Sequence, residues 1–246
     1  MNYQYKYGGT MQTSVRTLWG EGGALRFYRG LAPALVQAPL SRFGDTASNA
    51  FALSMLSDVQ LPVALKTVAA SLLAASFRIL LVPVDTVKTI MQVEGNAGLS
   101  ILRAKVAAHG PGAMFHGALA SAAATFAGHW PWFATFNTLQ EAIPVPAGED
   151  ALLARLARNA GIGFTASIVS DTISNSMRVV KTYRQTSAHP VSYPIAVKNI
   201  IAADGLAGLF GRGLQTRILA NGLQGLLFSV LWKAFEDGMG KKEARS

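Results

Sequence analysis

The chain of 246 residues contains no cysteine and few charged residues. Without cysteine it forms neither a disulfide nor a catalytic thiolate, so thiol enzymes are excluded and the redox compartment stays open. Charged residues make up only 14% of the chain, hydrophobic residues make up 50%, and the mean hydropathy is +0.29. A soluble globular domain typically carries about 25% charged residues. The composition therefore favours a membrane protein over a soluble helical protein with a large core.

Acidic residues are scarce, 13 against 22 basic ones, and the formal net charge is +9. A basic excess is typical of proteins that bind nucleic acid or an anionic membrane surface. The basic residues are scattered over recurrent loops without an aromatic-basic platform, which favours the membrane surface and predicts no nucleic-acid partner. The loop histidines lack the spacing of metal ligands, and no hydrolytic triad, phosphate-binding loop or paired-carboxylate motif is present. We therefore expect no enzyme activity, no cofactor and no metal.

A proline, an acid and a lysine stand close together at the end of a long apolar run. The stretch Leu81–Gln92 reads LVPVDTVKTIMQ. Proline removes one backbone hydrogen bond and bends a helix, so a kink is predicted at Pro83. The polar side chains around it recur at the period of a helix and form a single stripe of Arg78, Asp85, Lys88 and Gln92. Because ionisable groups at membrane depth normally face a water-filled cavity or one another, the stripe predicts a helix that lines a polar interior.

The same stripe recurs later in the chain. Residues 176–185 align without a gap with residues 83–92. The lysine and the glutamine of the stripe are kept, the proline becomes a serine, and the charges at two further positions are reversed. The aligned pairs are Lys88 with Lys181, Gln92 with Gln185, Pro83 with Ser176, Asp85 with Arg178 and Arg78 with Asp171. A match over the whole register indicates an internal repeat.

Three glycines, Gly30, Gly117 and Gly213, end similar short stretches that each precede a long apolar segment. Each unit thus combines a long helix, a surface helix and a second long helix, as in transporters built from parallel repeats. Long helices are predicted over residues 32–56, 62–92, 118–139, 151–185 and 214–235. Most of them have the roughly 20 residues that cross a bilayer. The basic loops lie on one side and the acidic loops on the other, as the positive-inside rule requires.

The repeated motif Pro-x-Asp/Glu-x-x-Lys/Arg, with an acidic-Gly turn and an aromatic-x-Gly box, resembles the mitochondrial carrier family of solute carriers. Pro83, Asp85 and Lys88 match the first motif in full. The resemblance implies an all-α membrane protein, a three-repeat bundle that is multi-pass in the mitochondrial inner membrane, with plastid and peroxisomal membranes as alternatives. It also implies transport of a small metabolite, whose identity it leaves open, by alternating access. The alternative function is a non-transporting structural subunit of a large inner-membrane complex.

The chain departs from the family pattern in its first repeat, whose first long helix is absent. We therefore expect five transmembrane helices plus short surface helices. A truncated gene model or a processed chain is the expected cause, with a natural five-helix protein as the alternative. The predicted divisions are residues 1–57 for an incomplete repeat 1, 58–143 for repeat 2, 144–240 for repeat 3 and 241–246 for a charged tail.

The resemblance also implies a gate, because charges on the kinked helices of the family form bridges that close the cavity on the matrix side. Glutamines brace these bridges from below. The gate residues carried over are Asp85, Lys88, Arg178, Lys181, Gln92 and Gln185, with Pro83 and Ser176 at the kink positions. We expect a bridge between Asp85 and Lys181, with Arg178 sharing the same carboxylate.

Arg78 and Asp171 lie one level above the gate, where the family contacts its substrate. Two interpretations stay open for them. They line the cavity as a pair compatible with a zwitterion, or they form a structural ion pair between neighbouring helices.

Further candidates for substrate binding lie on the helices that follow the box glycines. The central contact positions carried over from the family include Gln37, Thr125 and Asn221, and none of them is charged. This composition argues against a polyanionic solute. Arg42 and His129 occupy equivalent positions further along two of these helices. They supplement the site, or they form interhelical hydrogen bonds.

Glycine turns at the membrane surface are candidates for lipid binding. Helix N-termini bind phosphate through their backbone N–H groups, and the resemblance implies cardiolipin as a lipid partner there. The candidate positions are Gly112, Gly117, Gly208 and Gly213. A turn glycine without a ligand is the alternative at each of them.

Overall fold

The computed structural model describes residues 1–56, 59, 63–146, 152–225 and 227, and within them the regular secondary structure is helical. The helices are α1 Asn2–Tyr7, α2 Met11–Phe27, α3 Leu31–Met55, α4 Val63–Leu80, α5 Val82–Glu94, α6 Gly98–His109, α7 Ala118–Ala142, α8 Leu152–Thr186, α9 Tyr193–Gly211 and α10, residues 214–225. The end of the predicted span 214–235 and the predicted tail 241–246 lie outside the described residues.

The helix that carries the first polar stripe breaks between α4 and α5. Leu81 separates the two helices, and Pro83 lies in the first turn of α5. Proline is tolerated there because the first N–H groups of a helix have no intrahelical acceptor. Helix α8, in contrast, runs unbroken through Ser176, so the kink expected at that position is not a break in the helix. Serine keeps the backbone N–H that proline lacks, which allows the hydrogen-bond ladder to continue.

The five predicted spans are not confirmed as five apolar helices. By length and hydropathy, a single stretch of the described chain qualifies as a span, Tyr193–Gly225, and the segments Val68–Leu80 and Val82–His109, bent by 65°, qualify as a pair. Charged side chains inside the other long helices lower their hydropathy. Helix α3, for example, contains Arg42 and Asp45.

The long helices stand side by side, with α3 against α4, α4 against α7, and α7 against α8. Helix α9 packs on α8, and the short α1 packs on both α8 and α5. Buried side chains of α1, α8 and α9 form an apolar core at this end of the bundle: Tyr5, Val179, Val180, Ala196, Ile200 and Leu209. Large apolar side chains elsewhere are exposed, including Leu35 at 65%, Leu80 at 70% and Leu119 at 67%. Exposed apolar surface on this scale fits a lipid environment.

The box glycines bring the end of one helix against the backbone of another. Gly30 and Gly117 precede α3 and α7 with φ of 81° and 90°, a conformation that favours glycine. A Cβ atom on Gly30 would lie 2.8 Å from the carbonyl oxygen of Lys88, and one on Gly117 would lie 3.1 Å from that of Lys181. The same contact thus recurs at the two aligned lysines, Lys88 and Lys181.

A buried basic side chain caps the C-terminal end of each of three helices. Arg26 donates to the carbonyl oxygens of Gln92 and Val93 at 3.0 and 2.7 Å at the end of α5. Lys105 donates to two carbonyls at the end of α8, and Arg212 donates to two carbonyls at the end of α1. These bonds satisfy carbonyls that have no intrahelical partner. They fasten α5 to α2, α8 to α6, and α1 to the residue that follows α9.

Candidate functional site

Helices α3, α4, α5, α7, α8 and α10 surround a cavity of about 810 Å³. All seven side chains predicted to contact substrate line this cavity: Gln37, Arg42, Arg78, Thr125, His129, Asp171 and Asn221. Three predicted gate residues, Asp85, Arg178 and Lys181, line it too. The structure therefore brings the polar stripes of separate helices together around one interior space, although contact with a substrate stays a prediction.

Arg78 and Asp171 do not pair with each other. The guanidinium of Arg78 lies 3.0 Å from the carboxylate of Asp45, which comes from the neighbouring helix α3. Asp171 instead pairs with Arg217 of α10. The interpretation that Arg78 and Asp171 form an ion pair with each other is therefore wrong, because each is paired across helices with a partner that the sequence analysis did not propose. Both side chains line the cavity, and their contact with a solute stays a prediction.

Asp171 lies at the centre of a cluster of donors. Arg217 Nε donates to one carboxylate oxygen at 2.6 Å, and Asn221 Nδ2 donates to the other at 2.6 Å. Arg178 lies 3.7 Å from the same carboxylate. Arg217 was missed by sequence reasoning. The sequence feature that could have identified Arg217 is its position, one helical turn after Gly213 in a segment that is otherwise mostly apolar.

The predicted bridge between Asp85 and Lys181 is present, with 2.7 Å between the carboxylate and the ammonium. The second partner of Asp85 is Lys88 at 2.8 Å, so the prediction that Arg178 shares this carboxylate is wrong. Arg178 sits one helical turn before Lys181, and it turns to Asp171 and to the hydroxyl of Ser174. The closer ammonium group of Lys88, three residues away on the same helix, fills the place beside Asp85.

The two glutamines predicted to brace the bridges have different hydrogen-bond partners. Gln185 Nε2 donates to the Asp85 carboxylate and to the Thr86 hydroxyl, both at 3.2 Å, so it supports the bridge directly. Gln92 instead accepts a hydrogen bond from Asn2 of α1 at 2.6 Å. A further link joins the bridge to the cavity wall, because Lys88 donates to the side-chain oxygen of Gln37 at 3.0 Å.

Arg42 and His129 have no hydrogen-bond or ion-pair partner among the described residues. The interpretation that they form interhelical hydrogen bonds is therefore not seen in this conformation. Arg42 is exposed to the cavity, and the imidazole of His129 makes an edge contact with the ring of Phe133 at 6.2 Å. Thr125 donates to the carbonyl oxygen of Ser121. Both Arg42 and His129 are thus available to a solute.

The glycines predicted to bind lipid lie at two kinds of position. Gly117 and Gly213 precede α7 and α10 and have positive φ values of 90° and 67°. Gly112 lies in the short 3-10 helix Pro111–Phe115, and Gly208 lies within α9 beyond a break at Gly205. Lipid binding at these glycines stays a prediction.

Lys105, on helix α6, is the most deeply buried basic side chain of the described residues, 2% exposed. Burial, followed by repulsion from Lys6 and Arg184, lowers the pKa of Lys105 from 10.5 to about 8. Its ammonium donates to the carbonyl oxygens of Arg184 and Gln185, both at 3.2 Å. The other two capping side chains each pair with an acid, Arg26 with Glu21 and Arg212 with Asp204. Lys105 has no such acid among the described residues.

Comparisons with known proteins point in one direction. A family model described as "Mitochondrial carrier protein" matches residues 59–145, the part of the chain that contains Pro83, Asp85 and Lys88. The chain is also similar to mitochondrial citrate transporter D of Aspergillus niger, with 28% identity over 251 residues. That match covers 94% of this chain and 81% of the relative.

Proposed function

The chain belongs to the mitochondrial carrier family, and from this premise we propose that it transports a small organic anion across the mitochondrial inner membrane. The family match and the similarity to the Aspergillus niger relative support a transporter of a mitochondrial metabolite. The charge of the cavity supports the narrower class of substrate.

The observation that carries the proposal is the excess of positive charge around the cavity. Five cationic side chains of the described chain line it: Arg42, Arg78, Arg178, Lys181 and Arg217. Three carboxylates line it as well, those of Asp45, Asp85 and Asp171. The excess is two positive charges, and Arg42 has no carboxylate partner among the described residues. Arginine binds carboxylates with paired, charge-assisted hydrogen bonds, so a solute with two or three carboxylates complements this cavity.

This proposal revises the expectation against a polyanionic solute. That expectation rested on uncharged contact positions such as Gln37, Thr125 and Asn221. The charge comes instead from Arg42, one helical turn and more beyond Gln37, and from Arg217 on α10. Citrate, the solute after which the Aspergillus niger relative is named, belongs to the class that fits, and for this chain it is a proposed substrate.

We assign the Asp85–Lys181 bridge to the closed gate of an alternating-access cycle. Its supports are the carboxylate shared with Lys88, the brace from Gln185, and the kink beside Pro83 that turns α5 across the end of the cavity. Opening that end requires the bridge to break. A solute that neutralises the cavity's positive excess competes with Asp85 for the lysines, which links substrate binding to opening.

The test is uptake of radiolabelled citrate by liposomes that contain the purified chain and internal citrate. Arg42→Gln is expected to reduce uptake at least tenfold, because a hydrogen bond to a charged group contributes about 1.5–3 kcal/mol. The matched control is Arg16→Gln, which removes the same charge from the exposed face of α2 and is expected to transport normally. An absence of uptake by the unmodified chain, combined with its purification in a large stoichiometric assembly, would favour the structural-subunit alternative instead.

A further inference from the structure

We propose that Asp171 is an internal competitor of the transported anion: its carboxylate occupies the place of a solute carboxylate and is displaced when the solute binds. This inference rests on the proposed function, since it assumes that an organic anion enters the cavity. It gives Asp171 a role opposite to the direct contact with substrate that the family resemblance implies, because the residue then lowers the affinity for the solute.

The carboxylate of Asp171 is held as the carboxylate of a bound solute would be. Arg217 Nε donates to one of its oxygens and Asn221 Nδ2 donates to the other, each at 2.6 Å. Both donors line the cavity and lie one helical turn apart on α10. Charge-assisted hydrogen bonds of this kind are the strong contacts of carboxylate recognition. Asn221, a predicted contact of the solute, is thus occupied by a carboxylate of the protein itself.

The two donors are more accessible than the acid that they bind. The side chain of Asp171 is 5% exposed, whereas that of Arg217 is 26% exposed, and Asn221 is half-buried. An anion that enters the cavity therefore reaches Arg217 and Asn221 from the open side. It has to break their bonds to Asp171 in order to take both donors.

Arg178 provides a second partner for the displaced carboxylate. One of its terminal nitrogens lies 3.7 Å from Asp171, on the same helix. A buried carboxylate that loses its only cation is strongly destabilising, so displacement needs a second cation within reach. When the solute takes Arg217 and Asn221, Asp171 turns to Arg178, and each charge of the cluster keeps a partner.

The donors and the acid occur together in one repeat. The positions four and eight residues after the box glycine are Ala34 and Ala38 in repeat 1, Ser121 and Thr125 in repeat 2, and Arg217 and Asn221 in repeat 3. The residue aligned with Asp171 in repeat 2 is Arg78, which carries the opposite charge. The competition therefore acts on one side of the cavity, between α8 and α10, and concerns one carboxylate of the solute.

Competition of this kind favours release of the solute. The bonds that the anion forms with Arg217 and Asn221 replace bonds that these side chains already make with Asp171, so the net gain from them is small. After the cavity opens to the opposite side, Asp171 takes its donors back as the anion leaves. Without this carboxylate the anion would bind more tightly.

The experiment measures the Kd for citrate of the full chain, purified in detergent, by titration calorimetry at fixed ionic strength. Asp171→Asn keeps the size of the side chain and removes the competing charge, so the Kd is expected to fall about tenfold or more. The charge-matched variant combines Asp171→Asn with Arg178→Gln and keeps the net charge of the cavity. It too is expected to bind citrate more tightly than the unmodified chain, because Arg217 and Asn221 are free in both variants.

The charge-matched variant decides the outcome, also if Asp171→Asn alone does not fold, since it removes a negative and a positive charge together. An unchanged Kd in this variant would mean that Asp171 acts only through the net charge of the cavity or as a structural ion pair. A higher Kd would mean that the replaced side chains contact the solute. Either result would overturn the inference and leave the proposed function standing, whereas absence of citrate binding and uptake by the unmodified chain would contradict the proposed function.

Discussion

The bridge at Asp85 gives the sharpest prediction, because one carboxylate holds two lysines. Asp85 is 5% exposed and lies 2.7 Å from Lys181 and 2.8 Å from Lys88. Asp85→Asn keeps the shape of the side chain and leaves both ammonium groups without a counter-ion. Removal of one partner from a buried ion pair costs about 3–5 kcal/mol. That cost corresponds to roughly a hundred-fold to a few thousand-fold loss in the population of the closed conformation.

The assay pairs citrate uptake with thermal unfolding of the purified protein. Asp85→Asn is expected to lower both the uptake rate and the melting temperature, and the charge swap Asp85→Lys with Lys181→Asp is expected to restore part of each. Asp45→Asn is the matched control for stability, since its pair with Arg78 is more exposed and such pairs contribute closer to ~1 kcal/mol. Wild-type stability and uptake in Asp85→Asn would refute the reasoning that this carboxylate holds the cavity closed.

Three further predictions concern the segments that surround the cavity. Folding lowers the pKa of Lys105 from 10.5 to about 8. Between these two pH values the unfolded chain holds a proton that the folded chain has released, so the free energy of unfolding rises with pH across that window. Lys105→Met should abolish this rise in a series of melting curves. Gly30→Ala should destabilise the protein by at least ~1 kcal/mol, because φ is +81° and the new Cβ would meet the Lys88 carbonyl oxygen at 2.8 Å. The control Gly20→Ala, which has open space around it, should leave stability unchanged. Equal melting temperatures for the two variants would contradict the predicted clash at Gly30. Arg26→Met leaves two helix-end carbonyls without a donor and should cost about 1–3 kcal/mol by denaturation, a loss that Arg26→Lys should partly repair.

The sequence pattern located the cavity wall well, for a physical reason. Polar groups cannot face lipid without a large cost, so a polar stripe on an apolar helix has one permissible direction. Arg78, Asp85 and Asp171 were placed in this way, and Pro83 located the break between α4 and α5 through its missing N–H. The signal at each position is local, which is why one sequence was enough to find it.

The pairing of the charges was harder to predict, because it depends on distances between helices. Asp171 pairs with Arg217, which carries no motif, and Arg178 turns away from Asp85 because Lys88 lies closer. The caps of α1, α5 and α8 were not predicted either. A basic residue in a surface helix carries no sign of which carbonyl it will reach, since its partner lies more than sixty residues away in the chain for Arg26 and Gln92.

Accessibility of a single cysteine tests the central claim most directly, namely that side chains of separate helices face one water-filled cavity within the membrane. The natural chain has no cysteine, so Thr125→Cys in the cavity and Leu119→Cys on the outer apolar surface are matched probes. In liposomes, a hydrophilic thiol reagent is expected to modify Thr125→Cys rapidly and Leu119→Cys slowly, and citrate is expected to slow only the first reaction. Slow labelling of Thr125→Cys would contradict the account. So would labelling of Leu119→Cys that is as fast as that of Thr125→Cys and is slowed equally by citrate.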